Sequence, residues 1–482
     1  MVFEDWLHPL LSRYIGSPQW VKSSLGHAYA SLPLALRRGP HFSRFLAEAG
    51  VRDPAALAQL QRDKLTATLR WALQTVPFYQ PWRGLLAQLG DPYAVLARLP
   101  LVGKEQLKRE LTPYLSHAIS PKRRLETFTG GSTANPLRFY LHKGVSRVRE
   151  YAYMDDFHRR VGLGERDLVL ALRGRTVPSA REPGGKLWMY EPIKQQLMFS
   201  CDHLERDNMP AYVAALRHWR PRFIQAYPSA LYPLARWLQE HPEPELQGLF
   251  QGVLLYSENV YGYQMQLFRQ VFGCPVLKHY GQSERVLMAA SLPDDERYVF
   301  WPQYGQVELV DDQGKVITTP GVLGEVVGTA FDNQVLPFIR YRTGDLAMYS
   351  AQGHPDLPGY PVMERIEGRL QEFIVCRDRR LVSICTMGAA HFDELAQVDS
   401  LQYEQHRPGH CLVKVVTRVA LAPEAQARIV RAIEDKTQGG CSAELVMVDA
   451  IPRTQGGKHR MLLQHLDLSP YFGASLATEE EE

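Results

Sequence analysis

A run of hydroxyls and glycines, Thr127-Phe128-Thr129-Gly130-Gly131-Ser132-Thr133-Ala134-Asn135-Pro136, follows the basic triplet Lys122-Arg123-Arg124. Small residues let backbone N–H groups approach phosphate oxygens and the hydroxyls add donors, so the segment reads as a phosphate cradle. Composition alone leaves an ordinary surface turn open as well. A Walker loop is excluded, because no Gly-Lys-Ser/Thr follows. His279-Tyr280-Gly281-Gln282-Ser283-Glu284 closes an apolar run, and ligands of open α/β sheets gather where strands end. Tyr341-Arg342-Thr343-Gly344-Asp345, Arg365-Ile366-Glu367-Gly368-Arg369 and Pro452-Arg453-Thr454-Gln455-Gly456-Gly457-Lys458-His459-Arg460 come later in the chain. Taken singly, Lys458 could be a solvated charge, Asp345 a turn former, Tyr280 a core aromatic and Glu284 a helix N-terminal acid.

Positioning these segments requires a scaffold, and the hydropathy pattern describes one. Residues 1–120 read as helices broken by prolines: Leu57, Leu60, Leu65, Leu69, Leu73 and Val76 recur at helical spacing until Pro77. From Asp167 short apolar runs alternate with amphipathic stretches (DLVLALRG, PAYVAALRHW, PRFIQAY, ALYPLARWLQE, GVLLYS, YQMQLFRQVFG, PVLKHYG), which implies parallel strands with crossover helices. QVELVDDQGKVIT and EFIVCRDRRLVSI read as hairpins, and the chain closes with strand CLVKVVTRV, helix PEAQARIVRAIEDKTQ and strand AELVMVDAI. The expected fold class is α/β: a large N-terminal domain (1–367) with mixed and parallel sheets, and a small α+β domain (368–482).

In this order and at these separations, from roughly Pro121 to Arg460, the segments resemble the adenylate-forming acyl-ligase superfamily, in its branch of phenylacetate-CoA ligase and CapK-like proteins. The resemblance implies that Thr129, Gly130, Gly131, Ser132 and Thr133 form the phosphate loop and that Tyr280 packs on adenine, with Gly281 and Gln282 beside it. It implies that Ser283 contacts phosphate, that Glu284 holds magnesium, and that Asp345 and Arg369 address the ribose. Ser257 and Glu258 fall where the family lines the adenine and acyl side, and Tyr227 and Ser229 where the acyl pocket begins. Lys458 resembles the lysine that a mobile C-terminal domain inserts between carboxylate and α-phosphate. Arg285, next to Glu284, is a candidate either to pair with a second anionic group of the substrate or to brace Glu284. Three positions depart from the family pattern: Ala134 and Asn135 replace glycine and lysine, and Gln371 stands where a hinge Asp or Lys is usual.

The activity so implied is ATP-dependent formation of an acyl-adenylate from a small carboxylic acid, then acyl transfer to a thiol. The acceptor would be coenzyme A or a carrier protein's phosphopantetheine, with magnesium as the cation. The chemistry fits, since a carboxylate attacking a phosphate brings anion toward anion and calls for charge neutralisation rather than a general base. The rivals are transfer to an amine or hydroxyl of a sugar, and a non-catalytic scaffold in polysaccharide biosynthesis.

Composition excludes other classes. A chain of 482 residues with 45% hydrophobic and 22% charged residues has room for a large core in at least two domains and is not a disordered tract. Lys+Arg 55 against Asp+Glu 52 leaves +3, too balanced for a nucleic-acid binder. The six cysteines are scattered without a Cys-x-x-Cys pair, and Pro408-Gly409 between His406 and His410 argues against a zinc pair there. No apolar run of about 18 residues exists to span a bilayer, and a cytoplasmic location is expected. An apolar stripe of Trp6, Leu7, Leu10, Leu11 and Tyr14 is expected to pack on the protein's own body rather than on a membrane.

Overall fold

The structure is a computed structural model that describes residues 17–129, 137–173, 177, 186–201, 203–369, 372–384, 398–417, 419–453 and 459–471. The stripe from Trp6 to Tyr14, the loop residues Gly130, Gly131, Ser132, Thr133, Ala134 and Asn135, and also Gln371 and Lys458, lie outside these residues, as does the side chain of Arg369.

Five parallel strands form the centre of one large sheet, in the order Gln196–Phe199, Val169–Leu172, Phe223–Ala226, Gly252–Leu255, Val276–Gly281. Antiparallel strands extend it on both sides to thirteen, beginning with Trp188–Glu191 on one edge and Met288–Leu292 on the other. Val169–Leu172, Phe223–Ala226 and Gly252–Leu255 are buried at every position, because helices cover both faces of a parallel sheet. On one face Leu216, Leu231, Leu234 and Phe268, from three crossover helices, pack on Leu170, Ile224 and Val253. On the other, Tyr153 and Phe157 of the Ser146–Arg159 helix meet Leu254 and Leu277.

The helix Pro54–Thr75 starts where Asp53 accepts the Ala56 N–H and stops before Pro77. A hairpin, Arg124–Phe128 with Arg138–His142, carries the hydroxyl-rich loop at its turn.

A separate four-stranded sheet runs in the order Ser442–Met447, His410–Thr417, Val398–Arg407, Leu462–Gln464. The Pro423–Lys436 helix packs on it through Ile429 and Ile433, which meet Leu401, Tyr403, Val413 and Val415. Folding brings Cys376, Cys411 and Cys441 together in this core as free buried thiols. His406 and His410 diverge. His410 lies 3.7 Å from Glu444, whereas His406 stacks on His465 and both imidazoles reach one Glu404 oxygen, at 3.2 and 2.9 Å. Lys414 takes the other Glu404 oxygen at 2.5 Å, so this exposed group is already neutralised as a surface hydrogen-bond cluster. Among the described residues no helix is long and apolar enough to cross a membrane.

Candidate active site at the carboxyl edge of the parallel strands

Parallel strands all end on one edge, and the residues leaving that edge are Arg173, Tyr227, Tyr256 to Glu258, and Tyr280 to Glu284. Backbone bonds tie these exits together: Tyr227 N–H donates to Leu172 O at 2.9 Å, and Tyr256 N–H to Ala226 O at 3.0 Å.

The turn after Gly281 is held from several sides. Arg285 N–H donates to Gln282 O at 3.0 Å, and Leu287 N–H to the Gln282 side chain at 3.1 Å. Arg285 itself sits at φ +56°, a left-handed conformation that side chains other than glycine adopt at a cost. The buried Arg149 fixes it by donating to Arg285 O at 2.7 Å. Arg149 in turn lies over the Tyr304 ring and 3.7 Å from Asp332, which also accepts Lys64 at 2.7 Å. The Arg285 side chain lies near Tyr304. This bracing gives Glu284 a defined place.

Two phenols organise the carboxylates. Tyr341 donates to Glu284 Oε1 and Tyr280 to Asp345 Oδ2, both at 2.8 Å. Glu284 is 8% exposed and Asp345 9%, so each is a nearly buried anion with a fixed donor. No described residue takes the other Glu284 oxygen. Burial and the Asp345 charge push the Tyr280 phenol well above its ordinary value, keeping it a donor. Tyr298 and Phe300 flank its ring. Asp345 and Arg369 are direct cross-strand partners. Gly281 and Ser283 are exposed at the turn.

The base of the hydroxyl-rich loop is clamped. Thr129 N–H donates to Leu137 O, and Leu137 N–H to Thr129 Oγ1, both at 2.9 Å, so the Thr129 hydroxyl closes the loop. Leu137 and Phe139 share a core with Val286, Leu287 and Tyr341, which holds that base beside the Glu284 turn.

Ser229 and Glu258 meet the small domain rather than facing an open pocket. Ser229 donates its N–H and hydroxyl to the two Glu258 oxygens, each at 3.0 Å. Arg453 donates to Ser229 Oγ and O at 3.2 and 3.0 Å, and His459 N–H to Ser229 Oγ at 3.4 Å. Residues on both sides of 454–458 are therefore seated on one serine at the sheet edge. Asn259 adds a second tie, donating to Glu372 at 2.6 Å.

Polar groups that the sequence did not single out, among them His158, Gln225 and Arg173, lie beside these strand exits, together with His279. His158 Nε2 accepts from the Gln225 amide at 3.2 Å and lies 3.0 Å from Tyr256 OH. Desolvation, then the nearby Arg173 charge, lowers the His158 pKa to about 3. His279 is lowered by desolvation to about 4, and its Nε2 has no partner among the described residues. Arg173 lies over the Tyr256 ring, 4.8 Å from its centroid. Its position directly after the run DLVLAL was the available signal, since strand ends face ligand.

The central sheet, its crossover helices and the separate small domain make the fold of the adenylate-forming acyl ligases. No family model matches the chain. Among solved structures, 2-hydroxyisobutyryl-CoA ligase in its postadenylation state with R3-HIB-AMP superposes with a TM-score of 0.65 at 17% identity, covering 92% of this chain and 96% of that one. The same ligase in its thioesterification state, with 2-HIB-AMP and CoA, superposes with a TM-score of 0.52 at 17% identity over 90% and 94%. Protein CapK of Staphylococcus aureus is 21% identical over 382 residues, 77% of this chain and 81% of CapK.

Proposed function

We propose that this protein activates a carboxylic acid with ATP as its acyl-adenylate and then transfers the acyl group to the thiol of coenzyme A. The acid's carboxylate oxygen bonds to the α-phosphorus and pyrophosphate leaves; the thiolate sulfur then bonds to the acyl carbon and AMP leaves. The observation that carries this reading is the pair of phenol-held carboxylates, Glu284 and Asp345, on the carboxyl edge of a sheet whose fold is that of these ligases. In this reading Tyr280 borders the adenine, Asp345 with Arg369 receives the ribose hydroxyls, and the 129–133 loop covers the phosphates.

Glu284 fits a magnesium ligand: one oxygen is fixed by Tyr341, the other lacks a described partner, and magnesium bound with nucleotide needs few protein oxygens. The ion would offset charge between the phosphates and the incoming carboxylate. Lys458 would add a second positive charge at the α-phosphate. The seating of Arg453 and His459 on Ser229 supports that role.

We place the domain boundary at residues 367/368. Gly368, at φ +87°, is where a Cβ would strike Glu372 and Asn259; rotation of residues 368–482 between half-reactions would pivot at this glycine, three positions before Gln371 in the sequence. A carrier protein's phosphopantetheine is the alternative thiol. The likeness to CapK supports transfer to a sugar amine or hydroxyl as the second reading. An assay of pyrophosphate release over a panel of acids, with and without coenzyme A, tests the proposal. Acid-dependent release with thioester formed when coenzyme A is present is expected; ADP as product would refute it.

A further inference from the structure

We propose that the acid activated at this site carries a second oxyanion, a carboxylate or a phosphate, remote from the reacting carboxylate, and that Arg173 binds it. The inference rests on the adenylation reading and adds the class of substrate.

Arg173 is the first residue beyond the Val169–Leu172 strand, on the edge that also releases Tyr227 and Tyr256. It is half-buried, and among the described residues it has neither a hydrogen bond nor a carboxylate partner. A guanidinium stays charged at any working pH and offers five N–H donors in a fixed fork matched to carboxylate and phosphate. Its place over Tyr256 satisfies the flat face of the cation but none of those donors. A partly buried guanidinium without a described counter-ion is a place where a complementary anion gains most.

Its surroundings point the same way. A wall built for an alkyl or aryl acid would be apolar. Here the neighbourhood is polar: Gln225, whose amide oxygen accepts from Gln196 at 3.3 Å, His158 and Tyr256 form one hydrogen-bonded group, with the His279 ring beside Tyr256. His158 and His279 are both partly exposed. Arg285, the sequence candidate for a second substrate anion, has its carbonyl fixed by Arg149 and its guanidinium Nη1 buried, whereas Arg173 is partly exposed at a strand exit.

The test compares dicarboxylates from malonate to suberate, and ω-phosphono acids as phosphate stand-ins, with monocarboxylates of equal length. Calorimetric binding and the kcat/KM of pyrophosphate release are both read. At least one dianionic acid is expected to exceed its monocarboxylate by tenfold or more; which series wins identifies the oxyanion. Arg173→Gln should lower that preference about 10- to 100-fold, and Arg173→Lys should restore part of it. Melting curves establish that the variants fold. If no dianionic acid binds better than its monocarboxylate, or if folded Arg173→Gln keeps the parent's preference, the proposal is overturned. Arg173-dependent binding of a dianion with no pyrophosphate released from any acid would instead sink the adenylation reading and leave the anion site standing.

Discussion

On the part of the sheet edge formed by Tyr280, Glu284, Tyr341 and Asp345, each buried carboxylate has a phenol fixed 2.8 Å away, while across the same edge, among the described residues, Arg173 meets no counter-ion and His279 Nε2 no donor or acceptor. The difference separates two tasks. Charges that must act on every turnover are preorganised, so that little rearranges when substrate charge develops. Groups that choose a substrate remain unsatisfied until the correct partner arrives, which penalises the wrong one. On this account, damage to the first region lowers rate for all acids, and damage to the second changes which acid is used.

The largest expected effect comes from Lys458→Ala. Acyl-adenylate formation should fall about 10² to 10³-fold, while preformed acyl-adenylate is still turned over at close to the parent rate. Single-turnover measurements of each half-reaction check this, and equal loss in both would remove Lys458 from the role. Next, Glu284→Gln should raise the magnesium needed for half-maximal activity by about tenfold or more with little change in melting temperature. Its partner Tyr341→Phe should show a weaker shift in the same direction, about fivefold, since one hydrogen bond to a charged group is removed.

Arg149→Met probes the bracing behind the Glu284 turn. It leaves Asp332 short of a cation and releases Arg285 O, so stability should drop by about 3 kcal/mol. Denaturant melts measure that drop. In the folded fraction KM for magnesium-ATP should rise; an unchanged KM would mean that the turn holds its shape without Arg149.

The smallest effect is in pH dependence. His142, His158, His279 and His459 have folded pKa values of about 4, 3, 4 and 4, below the ordinary 6.5, chiefly through desolvation. Between those values the unfolded chain binds more protons, so their contribution is complete above pH 6.5 and is lost as pH falls toward about 4. Melting temperature should decline across that window. His279→Gln, on the acyl side, should make the decline shallower by up to one proton of slope, whereas Tyr341→Phe should leave the slope as it was.

What could be read in the sequence was what lies contiguous in it. The segment from Tyr280 to Glu284 was legible as the end of a predicted strand, and Asp345 through the resemblance of Tyr341-Arg342-Thr343-Gly344-Asp345 to a family motif. Their organisers were not: Tyr341 reaches Glu284 across 57 positions, and Arg149 reaches Arg285 across 136. The Ser146–Arg159 helix carries an arginine at a fully buried position, which broke its apolar pattern. Val398–Arg407 escaped in the same way, because buried Gln405 sits in its inward face. The reason is local: the Gln405 amide bonds both the N–H and the carbonyl of Val375 at 2.8 and 3.0 Å, completing an edge that no apolar residue could. Ser229 was expected where an acyl pocket begins; its place in the Pro228–Glu240 helix and its contact with Arg453 and His459 required the fold.

The central claim is that Glu284, Asp345 and Lys458 serve adenylation, and it is tested most directly by exchange of labelled pyrophosphate into ATP with no acyl acceptor present. The account predicts exchange that requires both the acid and magnesium, is abolished by Lys458→Ala, and leaves AMP as the product once an acceptor is added. Consumption of ATP to ADP and phosphate, or turnover of the correct acid without exchange, would contradict it.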